Sequence, residues 1–186
     1  MRRRRQELDV DQLSQLLRGE QAESDLRRYF GVGLGQDELP AFEGGRFEIL
    51  DGGGDRPEVR DRFTASDLLA VELLSVHVPP WVILDLLEGA LGEKAAEFLR
   101  EIPTSVPLWS DEAERFIGKG DPADSVWRLL DHEDGVGWVT AGKLLARKRP
   151  ALIPVYDGVV RCAMGWPKDF WAALRRATAK RWAAQG

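Results

Sequence analysis

A carboxylate and a glycine hairpin are the parts of this chain best suited to chemistry. Asp157 closes the run Pro154-Val155-Tyr156-Asp157 and stands where a new helix begins, with Val159, Val160 and Ala163 at its apolar positions. An aspartate there has two readings. It is an ordinary N-cap accepting backbone amides, or a carboxylate facing a cleft, where it would stabilise a developing cation or orient a water. Upstream, Gly135-Val136-Gly137 separates two helical patterns. Glycines permit a tight turn and let backbone N–H groups come close to a ligand. The helix that follows starts at about Trp138 and packs Thr140, Ala141, Leu144, Leu145 and Ala146 inward. Its N-terminus carries unpaired N–H groups and partial positive charge, a natural phosphate site. Lys143, Arg147, Lys148 and Arg149 follow on the same helix. The alternative is a helix–turn–helix packing element that binds nothing, and spacing alone leaves both readings open. Trp138 likewise either stacks on a base or joins the core.

Other chemistry-bearing residues offer less. The two histidines, His77 and His132, and the single cysteine, Cys162, lie far apart without metal-ligand spacing, so no metal, cofactor or internal disulfide is expected. His77, at the end of a helical pattern, reads as a packing or capping residue. GVGLG at 31–35 resembles a nucleotide loop, but no strand precedes it and no clear helix follows, so a connection is the expected reading.

The chain has 186 residues, 44% hydrophobic and 31% charged, which suits a single globular domain. No apolar run approaches the roughly 20 residues that span a bilayer, and the basic MRRRRQELD start has no apolar core behind it. A cytoplasmic protein without a membrane partner is expected, its oligomeric state left open. The net charge of −5 conceals an asymmetry: residues 1–142 carry −13 and residues 143–186 carry +8. Either the basic end binds phosphate, or the two ends pack together and their charges compensate.

These residues are positioned by an all-α frame, an array of short helices. Residues 1–63 read as an N-terminal helix (7–19) and a Gly-rich connection, behind a basic tail at Arg2–Arg5 taken as a solvated terminus. At most one short strand or hairpin is expected near residues 44–60, suggested by the alternation in RFEIL. From Thr64 onward the texture is helical. Thr64 and Asp67 form a capping box for TASDLLAVELLSV; Pro79–Pro80 starts the next helix. Further helices are expected over 93–100, 110–117 (Ser110 as cap) and 121–130 (Pro122 in the first turn). The last, over 168–184, places Phe170, Trp171, Leu174, Ala177, Thr178 and Trp182 on an apolar face and Arg175, Arg176 and Lys180 on a basic one. That basic face either is solvated or extends a DNA-binding surface with Lys143 and Arg147. The seven tryptophans are expected mostly in the core.

The pattern L-x5-G-V-G-x2-T-A-x2-L-L-A followed by P-x3-I-P-V-x-D-x2-V-x-R resembles the helix-hairpin-helix DNA glycosylase superfamily over about thirty residues. The whole chain, through FTASDLLAVELLSV and GWVTAGKLLARKRPALIPVYD, also resembles an uncharacterised actinobacterial family of unknown function. The first resemblance implies that residues 64–186 form a glycosylase-like core and that Gly135, Val136, Gly137, Trp138, Thr140, Lys143 and Arg147 serve DNA binding. It also implies Asp157 as the catalytic carboxylate of a monofunctional base-excision enzyme acting on a flipped nucleotide. The lysine nucleophile of bifunctional members is replaced by Val139, so no Schiff-base lyase is expected. One cysteine excludes a four-cysteine iron–sulfur cluster. A non-catalytic helix-hairpin-helix module that binds nucleic acid or protein is the alternative.

Overall fold

The computed structural model describes residues 19–35, 38, 41–164, 167 and 169–183. The basic tail, most of the expected 7–19 helix, Lys168, and the side chains of Lys180 and Trp182 lie outside the described set. Among the described residues the architecture is all-helical, without a strand. None of these helices is long and apolar enough to cross a membrane.

Among the described residues there are nine α-helices: α1 (Glu20–Phe30), α2 (Ala65–Glu72), α3 (Pro80–Glu88), α4 (Ala90–Arg100), α5 (Glu114–Ile117), α6 (Pro122–Asp131), α7 (Trp138–Lys148), α8 (Gly158–Ala163) and α9 (Phe170–Ala183). They are joined by short connections from α2 onward and by the long segment 31–64 between α1 and α2. Their boundaries have local causes. The Thr64 hydroxyl accepts from the Asp67 amide while the Asp67 carboxylate accepts from the Thr64 amide, a complete capping box at the start of α2. Pro80 and Pro122 sit in the first turns of α3 and α6, where a missing N–H costs nothing. Gly89 lies between α3 and α4, so α4 starts at Ala90, earlier than the expected residue 93. The Ser110 side chain caps a 3₁₀ turn, Asp111–Ala113, that leads into the short α5.

The core runs through the middle of the array. Val71, Val82, Leu99, Leu130, Leu144 and Leu145 are among its buried members, and α7 contacts both α2 and α6. Burying such side chains contributes about 1.5–3 kcal/mol each before entropy is counted. Trp127 and Trp171 pack against this core, but Trp81 and Trp109 are exposed, so the tryptophans are less uniformly internal than composition suggests.

The segment 44–60, read as holding at most one short strand or hairpin, has no strand. Residues Glu43–Arg46 and Leu50–Gly52 are 3₁₀ turns. A strand would satisfy backbone carbonyls with a partner strand. Here cations from the end of α7 perform that task. The Arg147 guanidinium donates to the carbonyls of Phe47 and Leu50, and its Nε donates to Asp67 Oδ1 at 3.1 Å. Lys148 Nζ donates to Val59 O at 2.9 Å and to Asp67 Oδ2 at 2.8 Å. Arg149 donates to the carbonyls of Arg60, Leu99 and Ile102 and to Asp61 Oδ1. All three cations are buried, as is Asp67. Burial holds the Lys148 ammonium below its ordinary pKa, with the Asp67 charge opposing that shift. Gly54 is required beside them: a Cβ there would meet Arg147 O at 2.5 Å and Asp67 Oδ1 at 2.7 Å.

Arg175 repeats the pattern on a smaller scale. It was expected on a basic outer face of the last helix, but it is buried and donates to Ser110 O and Asp111, with Glu114 Oε2 3.4 Å away. Of the two expected readings of the charge asymmetry, compensation between the ends of the chain accounts for Arg147, Lys148, Arg149 and Arg175. Arg176 remains exposed.

Removing the shared counter-ion leaves buried cations unpaired, which costs more than losing one cap. Asp67→Ala is expected to lower stability by about 3–5 kcal/mol, against about 1 kcal/mol for Thr64→Ala. Urea unfolding checks this as a large fall in midpoint for the first variant and a small one for the second.

Candidate functional site

The hairpin is built as the sequence suggests. Gly135 has φ +82°, a left-handed conformation that suits glycine, and a Cβ there would meet Pro79 Cγ at 2.7 Å. The hairpin is therefore seated against the start of α3. Val136 is buried and plugs the turn into the core, while Gly137 is exposed and is the N-cap of α7. Gly137 has no side chain to cap the helix. The first intrahelical bond runs from the Ala141 amide to Gly137 O, so the amides of Trp138, Val139 and Thr140 lie ahead of it. Trp127 Nε1 donates to Trp138 O at 3.1 Å and ties α6 to this end of α7. Asp134, immediately before the hairpin, is exposed, and its charge opposes phosphate there.

Asp157 caps α8. Its Oδ1 accepts from the amides of Val159 and Val160, both at 3.0 Å. Its side chain is 28% exposed, and Oδ2 faces the Lys143 ammonium at 3.8 Å. At that distance the contact is an ion pair rather than a hydrogen bond. Lys143 Nζ donates instead to Leu74 O at 2.8 Å, in the turn that ends α2. Burial holds the Lys143 ammonium below its ordinary pKa, and the Asp157 charge partly restores it.

Aromatic rings join the hairpin end to the aspartate. The Trp138 ring lies 5.5 Å from that of Tyr156, the residue before Asp157. Tyr156 stacks on Phe170 at 3.9 Å with the planes 6° apart, which fastens α9 to the same place. The Arg161 guanidinium sits over the other ring of the pair, 5.3 Å from the Trp138 centroid. Such a contact contributes about 0.5–1 kcal/mol at an exposed site. Burial raises the Tyr156 phenol above its ordinary pKa.

The structure thus gathers Gly135, Val136, Gly137, Trp138, Lys143 and Asp157 along one helix and the segment packed on it. Arg147 is not among them. Its guanidinium is buried at the far end of α7 on Asp67, Phe47 O and Leu50 O, so it does not share the hairpin's surface. Thr140 is buried and faces the core. Lys143 is buried too, beside Asp157 rather than outward. His77 is exposed, with Nδ1 3.1 Å from Glu72 Oε1. The Tyr156–Phe170 stack and the pairing of Lys143 with Asp157 were not expected from the sequence. The available signal was an aromatic beside the aspartate and a lysine on the face of α7 shared with Thr140 and Ala146.

Residues 22–185 match a family whose description reads "Family of unknown function (DUF6308)". The chain belongs to this family. No curated protein and no solved structure matches it. The matched span takes in the hairpin, Asp157 and the cation triplet.

The two hairpin glycines are expected to differ in tolerance. Gly135→Ala faces both a left-handed backbone and Pro79, and loses about 1–3 kcal/mol. Gly137→Ala has an ordinary φ of −89° and no atom within 4 Å of the new Cβ, and loses about 1 kcal/mol or less. Thermal unfolding of the two variants, compared with the parent, checks the order.

Proposed function

We propose that this chain is a DNA-binding, glycosylase-like protein that releases a base by hydrolysis of its N-glycosidic bond, with Asp157 as the working carboxylate. The observation that carries the reading is that α7 starts at the hairpin and also carries the lysine that faces Asp157. The first turn of α7 offers backbone amides at the hairpin, and Lys143, five residues beyond Trp138, lies against Asp157. Five residues of helix rise about 7.5 Å. A phosphate is held by these amides in this reading, and an adjoining sugar lies against the Asp157 carboxylate.

In this reading the carboxylate and the amides divide the labour. Asp157 Oδ1 is occupied by the α8 amides, which fix the carboxylate in place. Oδ2 supplies negative charge to the oxocarbenium-like sugar as the base leaves, and an ordered water completes the hydrolysis. Backbone amides carry the phosphate contact, since Arg147 is spent on the interior. DNA is the partner in this reading, bound at the hairpin, and base-excision repair is its setting.

A second reading takes Asp157 as a cap alone and the protein as a non-catalytic helix-hairpin-helix module. The two amides on Oδ1 favour it, because they are what a cap requires.

Incubation with a panel of damaged or modified duplexes, scored for abasic sites, separates the two. The first reading expects base release from at least one duplex, reduced by about 10²-fold or more in Asp157→Asn. Asparagine caps a helix as well as aspartate, so this variant keeps its fold. Full activity in Asp157→Asn would remove Asp157 from the mechanism. DNA binding without release from any duplex would favour the module.

A further inference from the structure

We infer that Lys143 is the positioning residue of Asp157: its ammonium, tethered to the Leu74 carbonyl, holds the Oδ2 side of the carboxylate in place rather than contacting DNA. The inference rests on the reading of Asp157 as the working carboxylate.

The first ground is the tether. Lys143 Nζ donates to Leu74 O at 2.8 Å and lies 3.8 Å from Asp157 Oδ2. A cation fixed by a backbone carbonyl keeps its place whether or not the carboxylate is engaged. Asp157 is then held from two directions, by the α8 amides on Oδ1 and by the ammonium facing Oδ2. This is the arrangement that preorganisation requires, with charge set in place before a substrate arrives.

The second ground is burial. The Lys143 side chain is 6% exposed, against 28% for Asp157. A lysine that engages DNA phosphates does so from solvent, as a hydrated point charge on a flexible stem. Lys143 has surrendered that freedom. Its stem lies in the core of α7 and its head is committed to Leu74 and Asp157.

The third ground is the turn that presents the tether. Ser75 follows Leu74 with φ +58°, one of two non-glycine residues with positive φ among those described. The backbone there costs of order 1 kcal/mol and is held by its surroundings. The Glu72 carboxylate accepts from the Val78 amide at 3.2 Å and approaches His77, closing the turn from the other side. The Leu74 carbonyl is thus delivered by a constrained turn on a separate helix. The carboxylate and the end of α2 are coupled through one ammonium.

Asp157 is the charged group whose field raises the affinity of Lys143 for its proton, against the effect of burial. The test is a pH titration of the Lys143 Cε and Nζ resonances by NMR in the full chain and in Asp157→Asn. Loss of the facing charge is expected to lower the Lys143 midpoint. Identical titrations in the two proteins would overturn the inference, since the ammonium and the carboxylate would then not face each other in solution.

Lys143→Met supplies the second measurement. Its expected effect is a fall of about 10-fold or more in single-turnover base release, with DNA affinity within about twofold of the parent. Lys143→Arg should recover part of the rate. Weaker DNA binding with unchanged single-turnover release would instead assign Lys143 to phosphate and overturn the inference. Should no duplex release a base, the proposed activity fails by itself, and the lysine titration still decides the pairing.

Discussion

The fold depends on three buried cations at the end of one helix. Arg147, Lys148 and Arg149 reach from α7 into the segment between residues 47 and 61, with Asp67 and Asp61 as counter-ions. Isolated buried charge is too costly to exist in a small core. These charges persist because nearly every donor has a carbonyl or a carboxylate. The carbonyls benefit equally. A Gly-rich stretch without regular structure carries acceptors that would otherwise need water or a strand, and the guanidinium forks supply two or three donors each. The ion pairs in this network are therefore better understood as hydrogen-bond supply to an irregular segment than as a net electrostatic gain.

The candidate site inherits its rigidity from the same helix. α7 is fixed at its C-terminal end by the cations, along its flank by Leu144 and Leu145, and at its N-terminal end by Trp127 and the plug of Val136. The hairpin amides and Lys143 therefore have little freedom relative to the core. Asp157 arrives from the following segment and is fitted to that frame by the Tyr156–Phe170 stack and the cap on α8. Chemistry that needs a carboxylate held to within a fraction of an ångström asks for such support.

Much of this could be read in the sequence wherever the cause is local. Thr64 and Asp67 announce a capping box, Pro80 and Pro122 announce helix starts, and Gly135-Val136-Gly137 announces a hairpin, because each acts on neighbours within four residues. Asp157 reads correctly as a cap for the same reason. What eluded the sequence depends on partners 80 to 100 positions away: Arg147 with Asp67 and with Phe47. A basic run on a helix looks like a solvated or DNA-facing surface until the acceptors that surround it are known. RFEIL alternates like a strand, but no second strand exists among the described residues to pair with it, so its carbonyls turned to the cations. Arg175 escapes on the same logic, since Ser110 and Asp111 lie 65 and 64 residues earlier.

That long reach bears on how the chain is made. Residues 47–61 emerge early in synthesis, whereas the cations that order them lie more than 80 residues later. Closing so long a loop is entropically slow, and contacts of this separation delay folding. Until α7 appears, the carbonyls of Phe47, Leu50 and Val59 lack their donors, Asp67 lacks its counter-ions, and α2 lacks the helix against which it packs. The first half of the chain therefore folds only as fast as its own distal end can reach it, and truncation before residue 149 would strand it as an exposed, protease-sensitive coil.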